Sequence, residues 1–466
     1  MVESTASQRN RPFGFAVPLL AGLLSALLSS CSSGTATSVI TCGSSTAVPP
    51  GSNPLNISRS TCGSGSPAFT QAGGNLYVAW VQPAGATGIY FSRSADNGAS
   101  FSAPLNLSGG TGTPESPAVA AAGSNVFVVW DAVLTSPSAE VYLRQSSDGG
   151  LTFGASVQIS NAAGLTAGPT AVHSARSPAV AAVGNTVWIA WEDDVSNIAN
   201  PPTSLALQSE ILASVSTNGG QGFAPLPKGI SYSSSVCAGG TTVGMFSQFP
   251  TLTASGTSLY ALWQENTPVG CQILPTSVLL SDILFSQAAS ASPATFAAPQ
   301  SVAQVGQRGS NAAFGVMAAS GSDVYVAWSE LETNGNTDVY YNASADGGTN
   351  FMVFCPPPPP IPTAACPKNV SNPGDLVRPV SSGSPSLDAS GSNVAVVWSD
   401  SRPTLAGIAE IKSTDGGSTF SSPVNVSQTG GSTNQPKVLM SLPNLHLIWV
   451  DSSQGASQIV YRTLTF

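Results

Sequence analysis

The sequence is poor in charged residues, which make up only 8% of its 466 positions. Lysine and arginine number 14 against 23 aspartate and glutamate residues, so the formal net charge is −9. A nucleic-acid-binding surface needs clustered basic side chains, so we expect no nucleic acid partner. The two histidines stand far apart, and the sequence has no C-x-x-C, H-E-x-x-H, phosphate-loop or D-x-D-x-D-G pattern. We therefore expect no cofactor and no metal.

Strong helix formers are scarce too, whereas Ser, Thr and Val, together with 47 Gly and 36 Pro, are abundant. This composition argues against a helical bundle and favours strands joined by turns. Hydrophobic residues make up 42% of the chain, which is enough for a large core. The composition therefore predicts an all-β protein.

The N-terminus carries a targeting signal. Two arginines, Arg9 and Arg11, precede an apolar run over residues 13–28, which is too short for a bilayer span and has the length of a signal-peptide core. The run ends in Leu-Ser-Ser-Cys31, which resembles the lipobox of bacterial lipoproteins. That resemblance implies that residues 1–30 are a signal peptide and that Cys31 is lipidated. The alternative is an ordinary signal peptide that happens to contain a cysteine.

A lipidated Cys31 would anchor the protein to a membrane of the bacterial cell envelope, in the outer membrane or at the cell surface. Residues 31–52 are rich in Ser, Thr, Gly and Pro, and we expect them to be a flexible tether. The other six cysteines are an even number, which fits an oxidising compartment. The expected disulfides are Cys42–Cys62, Cys237–Cys271 and Cys355–Cys366. The last pair brackets a run of five prolines. We expect this segment either to decorate a loop or to dock a protein partner.

The chain also repeats itself. Apolar stretches such as LYVAW and VFVVW end in a tryptophan at Trp80, Trp130, Trp191, Trp263, Trp328, Trp398 and Trp449. A Pro-containing strand precedes most of these stretches, and a strand led by an acidic residue, a glycine turn and a last short strand follow. Each unit is therefore predicted to contain four strands. Four-stranded units repeated around an axis form a β-propeller.

The two ends of the chain predict how the ring closes. The seventh unit stops after its third strand, over 459–463, whereas the segment 53–58 matches the fourth-strand pattern. We therefore predict a seven-bladed rather than a six-bladed propeller over residues 53–466, with the N-terminal strand completing the last blade.

The glycine turn has the pattern S-x-D-x-G-x-x-F in five copies, centred on Asp96, Asp148, Asn218, Asp346 and Asp415. This pattern resembles the Asp-box, or bacterial neuraminidase repeat, of sialidase-like propellers. Its central side chain can accept N–H bonds from its own turn, so we assign it a structural role. The resemblance implies that the turns lie away from the ligand-binding face.

Two sets of loops are then expected to share the opposite face. Their candidate ligand-binding residues are Arg59, Arg176, Arg308, Arg378, Asp131, Glu192, Glu265, Glu330, Asp400 and Asp451. An acid follows almost every Trp strand, which favours a scaffold role in which the acids accept loop N–H bonds. Otherwise these acids form a cation or sugar site. We also expect an Asp400–Arg402 ion pair and a packed, non-ligating His446.

Three functions fit the sequence. The first is a monomeric, non-catalytic surface module that binds a glycan or a protein. The resemblance to sialidases implies a second, an exo-sialidase in which three arginines clamp the substrate carboxylate. That family's Arg-Ile-Pro signature is absent, and we assign no catalytic residue. The third is an assembly factor for a membrane complex.

Overall fold

The structure is a computed structural model. It describes residues 54–83, 87–110, 112–135, 138–160, 174–195, 208–224, 227–231, 234–236, 242–244, 246–267, 280–289, 296–303, 311–332, 335–351, 367–372, 381–428, 432–453 and 455–466. All regular structure in these ranges is β-strand. They contain no helix with the length and apolarity needed to cross a membrane. The predicted signal peptide, tether and lipidated Cys31 lie outside the described residues.

The strands follow one another in a regular rhythm. They are β1 (Leu55–Asn56), β2 (Gly65–Ala72), β3 (Asn75–Gln82), β4 (Gly88–Ser94), β5 (Leu105–Asn106), β6 (Thr113–Ala122), β7 (Asn125–Thr135), β8 (Ser138–Ser146), β9 (Val157–Gln158), β10 (Ala175–Val183), β11 (Thr186–Val195), β12 (Gln208–Ser216), β13 (Lys228–Gly229), β14 (Ser234–Val236) and β15 (Thr242–Gly244). They continue with β16 (Phe246–Ser255), β17 (Ser258–Thr267), β18 (Leu280–Ala289), β19 (Gln300–Ser301), β20 (Ala312–Ser320), β21 (Asp323–Leu331), β22 (Thr337–Ser344), β23 (Lys368–Asn369), β24 (Ser382–Ser390), β25 (Asn393–Asp400), β26 (Gly407–Ser413), β27 (Val424–Asn425), β28 (Thr433–Ser441), β29 (Asn444–Asp451) and β30 (Gln458–Thr465).

Four-stranded antiparallel sheets are the repeating unit. Each has three long strands in chain order and a two-residue fourth strand; the sheets are β2–β5, β6–β9, β10–β13, β16–β19, β20–β23, β24–β27 and β28–β30 with β1. One parallel bridge, between Ser209 and Phe246, joins the sheet β10–β13 to the sheet β16–β19. The strands β14 and β15 form a separate hairpin. The predicted all-β architecture of four-stranded repeats is confirmed.

The Trp-ended second strand of each sheet forms the centre of the core. Every residue from Leu76 to Trp80 in β3 is fully buried, because neighbouring sheets cover both faces of the strand. The core clusters accordingly lie between successive sheets: Trp130 of β7, for example, packs with Tyr77 and Ala79 of β3. A cluster of the same kind joins Trp80 to Ile448 of β29, so the last sheet packs against the first.

The segment that follows residue 53 completes the last sheet. In β1, Leu55 pairs with Tyr461 and Asn56 with Val460. The next residue, Ile57, is buried and donates its N–H to the carbonyl of Ile459 at 2.8 Å. Ile459 N–H in turn donates to Ser58 Oγ at 3.0 Å. The predicted pairing of the N-terminal strand with the last strand of the chain is confirmed.

These bonds repeat what other fourth strands do within their own sheets. After β5, Ser108 Oγ accepts the N–H of Ile89 at 3.1 Å, and after β27, Ser427 Oγ accepts the N–H of Ile408 at 3.2 Å. Asn106 Oδ1 accepts N–H bonds from the residues that follow it. The recurrent Asn-x-Ser triplet is therefore a device that ends the fourth strand.

Each first strand carries a bulge with a left-handed residue that the sequence analysis did not predict. These residues have φ between 45° and 54°: Ser66, Ser116, Ser177, Phe249, Phe314, Ser384 and Gln435. The register of the sheet shifts at every one of them. Bulges of this kind re-aim side chains at functional edges.

The S-x-D-x-G turn joins the third strand to the fourth and makes the expected bonds. In the second sheet, Asp148 Oδ1 accepts the N–H of Thr152 at 2.9 Å and the hydroxyl of Ser146 at 2.7 Å. Gly149 donates its N–H to Ser124, in the turn between β6 and β7. Asn218 accepts the N–H of Gly222 at 3.1 Å, so the asparagine copy works like the aspartates. These turns therefore lie at the edge opposite to the ends of the Trp strands.

One cysteine lies in the described part of the chain. Cys62 is disulfide-bonded, and the remaining cysteines are outside the described residues. The three predicted pairings therefore stay predictions.

Candidate functional site

The ends of the first two strands of each sheet form what we call the inner rim. It consists of the left-handed residues above and of the cross-strand pairs beside them: Gly65–Val81, Glu115–Asp131, Arg176–Glu192, Gln248–Gln264, Ala313–Ser329, Gly383–Ser399 and Asn434–Val450. The second residue of each pair directly follows a core tryptophan. Polar and charged pairs are concentrated in the sheets β6–β9, β10–β13 and β16–β19.

Four of the predicted ligand-binding acids make a hydrogen bond within their own strand. Each stands two residues after its tryptophan, on the same face of the strand, and accepts the indole N–H. The Nε1–oxygen distances are 3.1 Å for Trp263–Glu265, 2.8 Å for Trp328–Glu330, 2.8 Å for Trp398–Asp400 and 3.4 Å for Trp449–Asp451. Asp193 accepts the indole N–H of Trp191 in the same way. All five acids thus accept an indole N–H, and Asp400 and Asp451 also accept a loop N–H.

The other expectations about single residues fit the same picture. Asp400 pairs with Arg402, whose Nε donates to its two oxygens at 2.9 and 3.0 Å. His446 is buried, and its Nδ1 lies 2.8 Å from the hydroxyl of Tyr461, which makes it a packed residue.

Asp131 and Glu192 behave differently because they directly follow their tryptophans and face the next sheet. Asp131 accepts the N–H of the left-handed Ser177 at 3.3 Å. Glu192 accepts a bond from Gln248 Nε2 at 3.1 Å and one from the N–H of the left-handed Phe249. Burial raises the pKa of Asp131 to about 6 and the pKa of Glu192 to about 7. Both side chains can therefore hold a proton near neutral pH.

Arg176 lies between these two acids. It pairs with Glu192 across β10 and β11, its Nε donates to Ser174 Oγ at 3.0 Å, and its charge lowers the pKa of Asp131, Glu192 and Asp194. Burial and the neighbouring Asp193 outweigh it at Asp194, whose pKa is raised. One guanidinium is thus shared by several carboxyl groups.

The other predicted arginines do not join this cluster in the described part of the chain. Arg59 follows the outermost strand of its sheet, and its Nη2 donates to the carbonyl of Phe101 at 3.0 Å. Arg308 and Arg378 lie outside the described residues. Of the predicted set, the structure brings together Asp131, Arg176 and Glu192.

Two aromatic residues beside this cluster were missed by the sequence reasoning. Phe249 and Phe314 occupy left-handed positions that hold Ser or Gln in the other sheets. Their ring centroids are 5.6 Å apart at 43°, and Phe314 is 42% exposed. A bulky residue in this backbone region costs about 1–3 kcal/mol and persists mainly at functional sites. The sequence signal was a phenylalanine at a repeat position that holds Ser or Gln in the other units.

Gly315 fixes the backbone under this aromatic pair. A Cβ at this position would lie 2.8 Å from Leu262 and 3.0 Å from Ile283, so only glycine fits without a shift. Its carbonyl accepts the hydroxyl of Thr251 at 3.2 Å, which links it to the neighbouring sheet. The two rings are therefore held on a closely packed support.

Amide side chains extend the polar surface next to Glu192. Asn266 Nδ2 donates to Gln248 Oε1 at 2.8 Å, and Gln264 Nε2 donates to Asn266 Oδ1 at 3.1 Å. Among the described groups, Gln264 Oε1 and Ser329 Oγ are buried and have no protein partner. Unpaired buried polar atoms are costly unless a ligand or water satisfies them. Within the described ranges, no group of three or more His, Cys, Asp or Glu residues could hold a metal ion.

Comparison with known proteins finds relatives by structure alone. No family model matches the chain, and no curated protein matches it in sequence. An ulvan lyase of polysaccharide lyase family PL25, solved with bound -[GlcA(1-4)Rha3S]-, is 9% identical over 88% of this chain and 95% of that chain, with a TM-score of 0.55. A second structure from that family gives 10% identity, coverage of 86% and 93%, and a TM-score of 0.54. The Hadza microbial sialidase Hz136 gives 12% identity, coverage of 84% and 76%, and a TM-score of 0.47. At identities this low, the likeness to the ulvan lyases concerns the fold alone: this chain is an all-β protein with a β-propeller fold.

Proposed function

We propose that this chain is a closed, seven-bladed β-propeller of the cell envelope, anchored through Cys31, and that its inner rim binds a carbohydrate without turning it over. Two observations support the ring. A hydrophobic cluster lies between each pair of successive four-stranded sheets and also between the last and the first. In addition, β1 makes with β30 the bonds that other fourth strands make within their own sheets.

The aromatic pair Phe249–Phe314 is the observation that carries the carbohydrate proposal. Sugars present apolar C–H faces and several hydroxyl groups, so their sites combine exposed aromatic rings with a few fixed polar groups. At the inner rim the pair stands beside the carboxyl of Glu192 and the amide of Gln248. The saccharide bound in the ulvan lyase structure is consistent with a sugar ligand on this fold.

Hydrolysis is the second candidate because Asp131 and Glu192 have raised pKa values, as a general acid needs. A sialidase also clamps its substrate carboxylate with several arginines. In the described part of the inner rim, however, Arg176 is the one arginine. Binding without turnover therefore fits the described residues better.

A glycan array followed by calorimetry tests this proposal. The full chain is screened, and the best oligosaccharide is titrated against Phe249→Ala, Phe314→Ala and Glu192→Gln. We expect each change to weaken binding about tenfold or more, which corresponds to about 1.4 kcal/mol. Glu330→Gln is the matched control for the acid, because an amide oxygen can still accept the indole N–H of Trp328. Leu151→Ala, an exposed residue at the opposite edge, is the apolar control. Both controls should bind like the parent chain.

Other results would replace the proposal. Unchanged binding by the rim variants, or no bound glycan, would refute it. Release of a fluorogenic sialoside leaving group, lost in Glu192→Gln, would make the protein a hydrolase. Co-purification with a membrane complex, together with an empty glycan array, would favour the assembly factor.

A further inference from the structure

The charge of the inner rim limits what kind of sugar can bind there. Among the described residues of that rim and its immediate neighbours, the carboxyl groups outnumber the single guanidinium of Arg176; they are those of Glu115, Asp131, Glu192, Asp193 and Asp194. A carboxylate or sulfate on a ligand would meet more carboxyl groups than cations. The ionised carboxyl groups repel an anionic ligand, and the protonated ones offer it no positive charge. An acidic sugar is therefore disfavoured.

A buried hydroxyl without a partner points into the same cluster. Ser209 of β12 is 1% exposed, and its Oγ has no partner among the described groups. It pairs directly with Asp194, and Ile211 pairs with Glu192, so the Ser209 side chain lies on the sheet face that carries Glu192 and Asp194. The backbone of Ser209 also forms a parallel bridge with Phe246 of the neighbouring sheet. The hydroxyl oxygen can therefore accept a hydrogen bond from an N–H or O–H group.

The aromatic pair adds a second feature that suits a cation. Phe249 donates its N–H to Glu192, which places its backbone beside the carboxyl cluster, and its ring packs against the Phe314 ring of the next sheet. The faces of aromatic rings attract ammonium groups, because the ring face carries partial negative charge. An ammonium group on a sugar can thus contact carboxylates while the sugar ring lies on the aromatic surface. A divalent metal ion needs several oxygen ligands, and within the described residues no group of three or more acids could hold one.

We propose that the carbohydrate recognised by the inner rim carries a protonated amine, as in an oligosaccharide of unacetylated amino sugars. This inference rests on the proposed function and names the class of its ligand. The half-buried Asp194 supplies the contact with the amine, and an ammonium beside this cluster favours the ionised forms of Asp194, Asp131 and Glu192, because a nearby opposite charge lowers a carboxyl pKa. Ser209 supplies a buried acceptor, and Phe249 and Phe314 supply the apolar surface.

Three pentasaccharides of different charge test this proposal in calorimetric titrations of the full chain at pH 6.5. They are the β-1,4 pentamer of glucosamine, the same pentamer fully N-acetylated, and a pentamer of galacturonic acid. We expect the cationic pentamer to bind at least tenfold more tightly than the neutral one, and the acidic pentamer to show no binding. The preference should shrink between 0.05 and 0.5 M NaCl, because salt screens charge.

Variants separate charge recognition from sugar recognition. Asp194→Asn should remove most of the preference for the cationic pentamer, measured as the ratio of its affinity to that of the neutral pentamer. Glu330→Gln, a scaffold acid, should leave the preference intact. Equal or tighter binding of the neutral or the acidic pentamer would overturn this inference and leave the carbohydrate-binding function standing. Pentalysine binding as tightly as the cationic pentamer would also overturn it, because charge alone would then suffice. Failure of all glycans would overturn both proposals.

Discussion

Replacing Ile57 by alanine is the change that best isolates the closure of the ring. The side chain is 1% exposed and packs in one cluster with Trp80 of the first sheet and Ile459 of the last. Truncating a buried isoleucine to alanine costs about 2–5 kcal/mol, through lost transfer energy and the cavity that remains. Because hydrogen bonds between residues 56–60 and the pair Gln458 and Ile459 hold this segment in place, the cavity cannot readily collapse. We expect the upper half of that range.

Urea unfolding and hydrogen exchange measured by mass spectrometry provide the assay. The unfolding free energy should fall by about 3–5 kcal/mol. Amide protection should fall in both β29–β30 and β3, because the lost cluster joins the two ends of the chain. Val424→Ala is the control, since Val424 lies in another fourth strand but is 51% exposed; its effect should stay within about 0.5 kcal/mol. A loss below 1 kcal/mol, or deprotection confined to residues 54–60, would refute the reasoning.

Three further predictions concern the scaffold and the inner rim. Glu330→Leu should lower the unfolding free energy in urea by about 1–3 kcal/mol, because it leaves the buried indole N–H of Trp328 without an acceptor. Glu330→Gln should leave the unfolding free energy unchanged, and equal losses in the two variants would contradict the indole bond. Gly315→Ala should lower the melting temperature through a clash worth about 1–3 kcal/mol, whereas Gly154→Ala, whose added Cβ meets nothing closer than 3.7 Å, should not. Burial raises the pKa of Asp131 and Glu192 to about 6 and about 7, so folding favours their protonated forms. Stability should therefore fall as the pH rises from 4.5 to 8, by about 2–3 kcal/mol per group, and the urea midpoints of Glu192→Gln should fall less.

The repeat pattern could be predicted from the sequence because the same physics acts in every unit. The apolar run before each tryptophan has to be buried on both faces, and the glycine turn has to bend tightly, so strand order and turn position follow from periodicity. The pairing of residues 55–56 with β30 could be predicted because the Asn-Ile-Ser triplet has the form of the other fourth strands. The left-handed bulge could not, since a Ser-Pro pair is equally compatible with an ordinary extended strand.

The site was predictable only in part. Asp131, Arg176 and Glu192 were among the candidates, but so were Glu265 and Glu330, which bind indole groups. The distinction lies in one residue of spacing after the tryptophan, because strand side chains alternate between the two faces of a sheet. An even spacing puts the acid on the indole side, and an odd spacing turns it towards the next sheet. This spacing is visible in the sequence. Which spacing turns the acid towards the next sheet, however, depends on how neighbouring sheets pack.

Phe249 and Phe314 were harder to find from sequence. A phenylalanine in a β-rich chain is usually part of the core, as Phe91, Phe127 and Phe285 are here. Only the backbone conformation shows that both rings stand at bulges on the inner rim, where Phe314 is largely exposed. The position that Phe249 and Phe314 share, at a fixed distance before the tryptophan, becomes informative once the repeats are aligned on their tryptophans.

Hydrogen-exchange footprinting of the full chain with a bound oligosaccharide tests the central claim most directly. The ligand should protect the amides of residues 246–250 and 311–316, together with those around Asp131 and Glu192. Amides in the S-x-D-x-G turns at the opposite edge should exchange as in the free protein. Protection confined to those turns, or to the outer strands, would contradict the assignment of the inner rim as the ligand-binding surface.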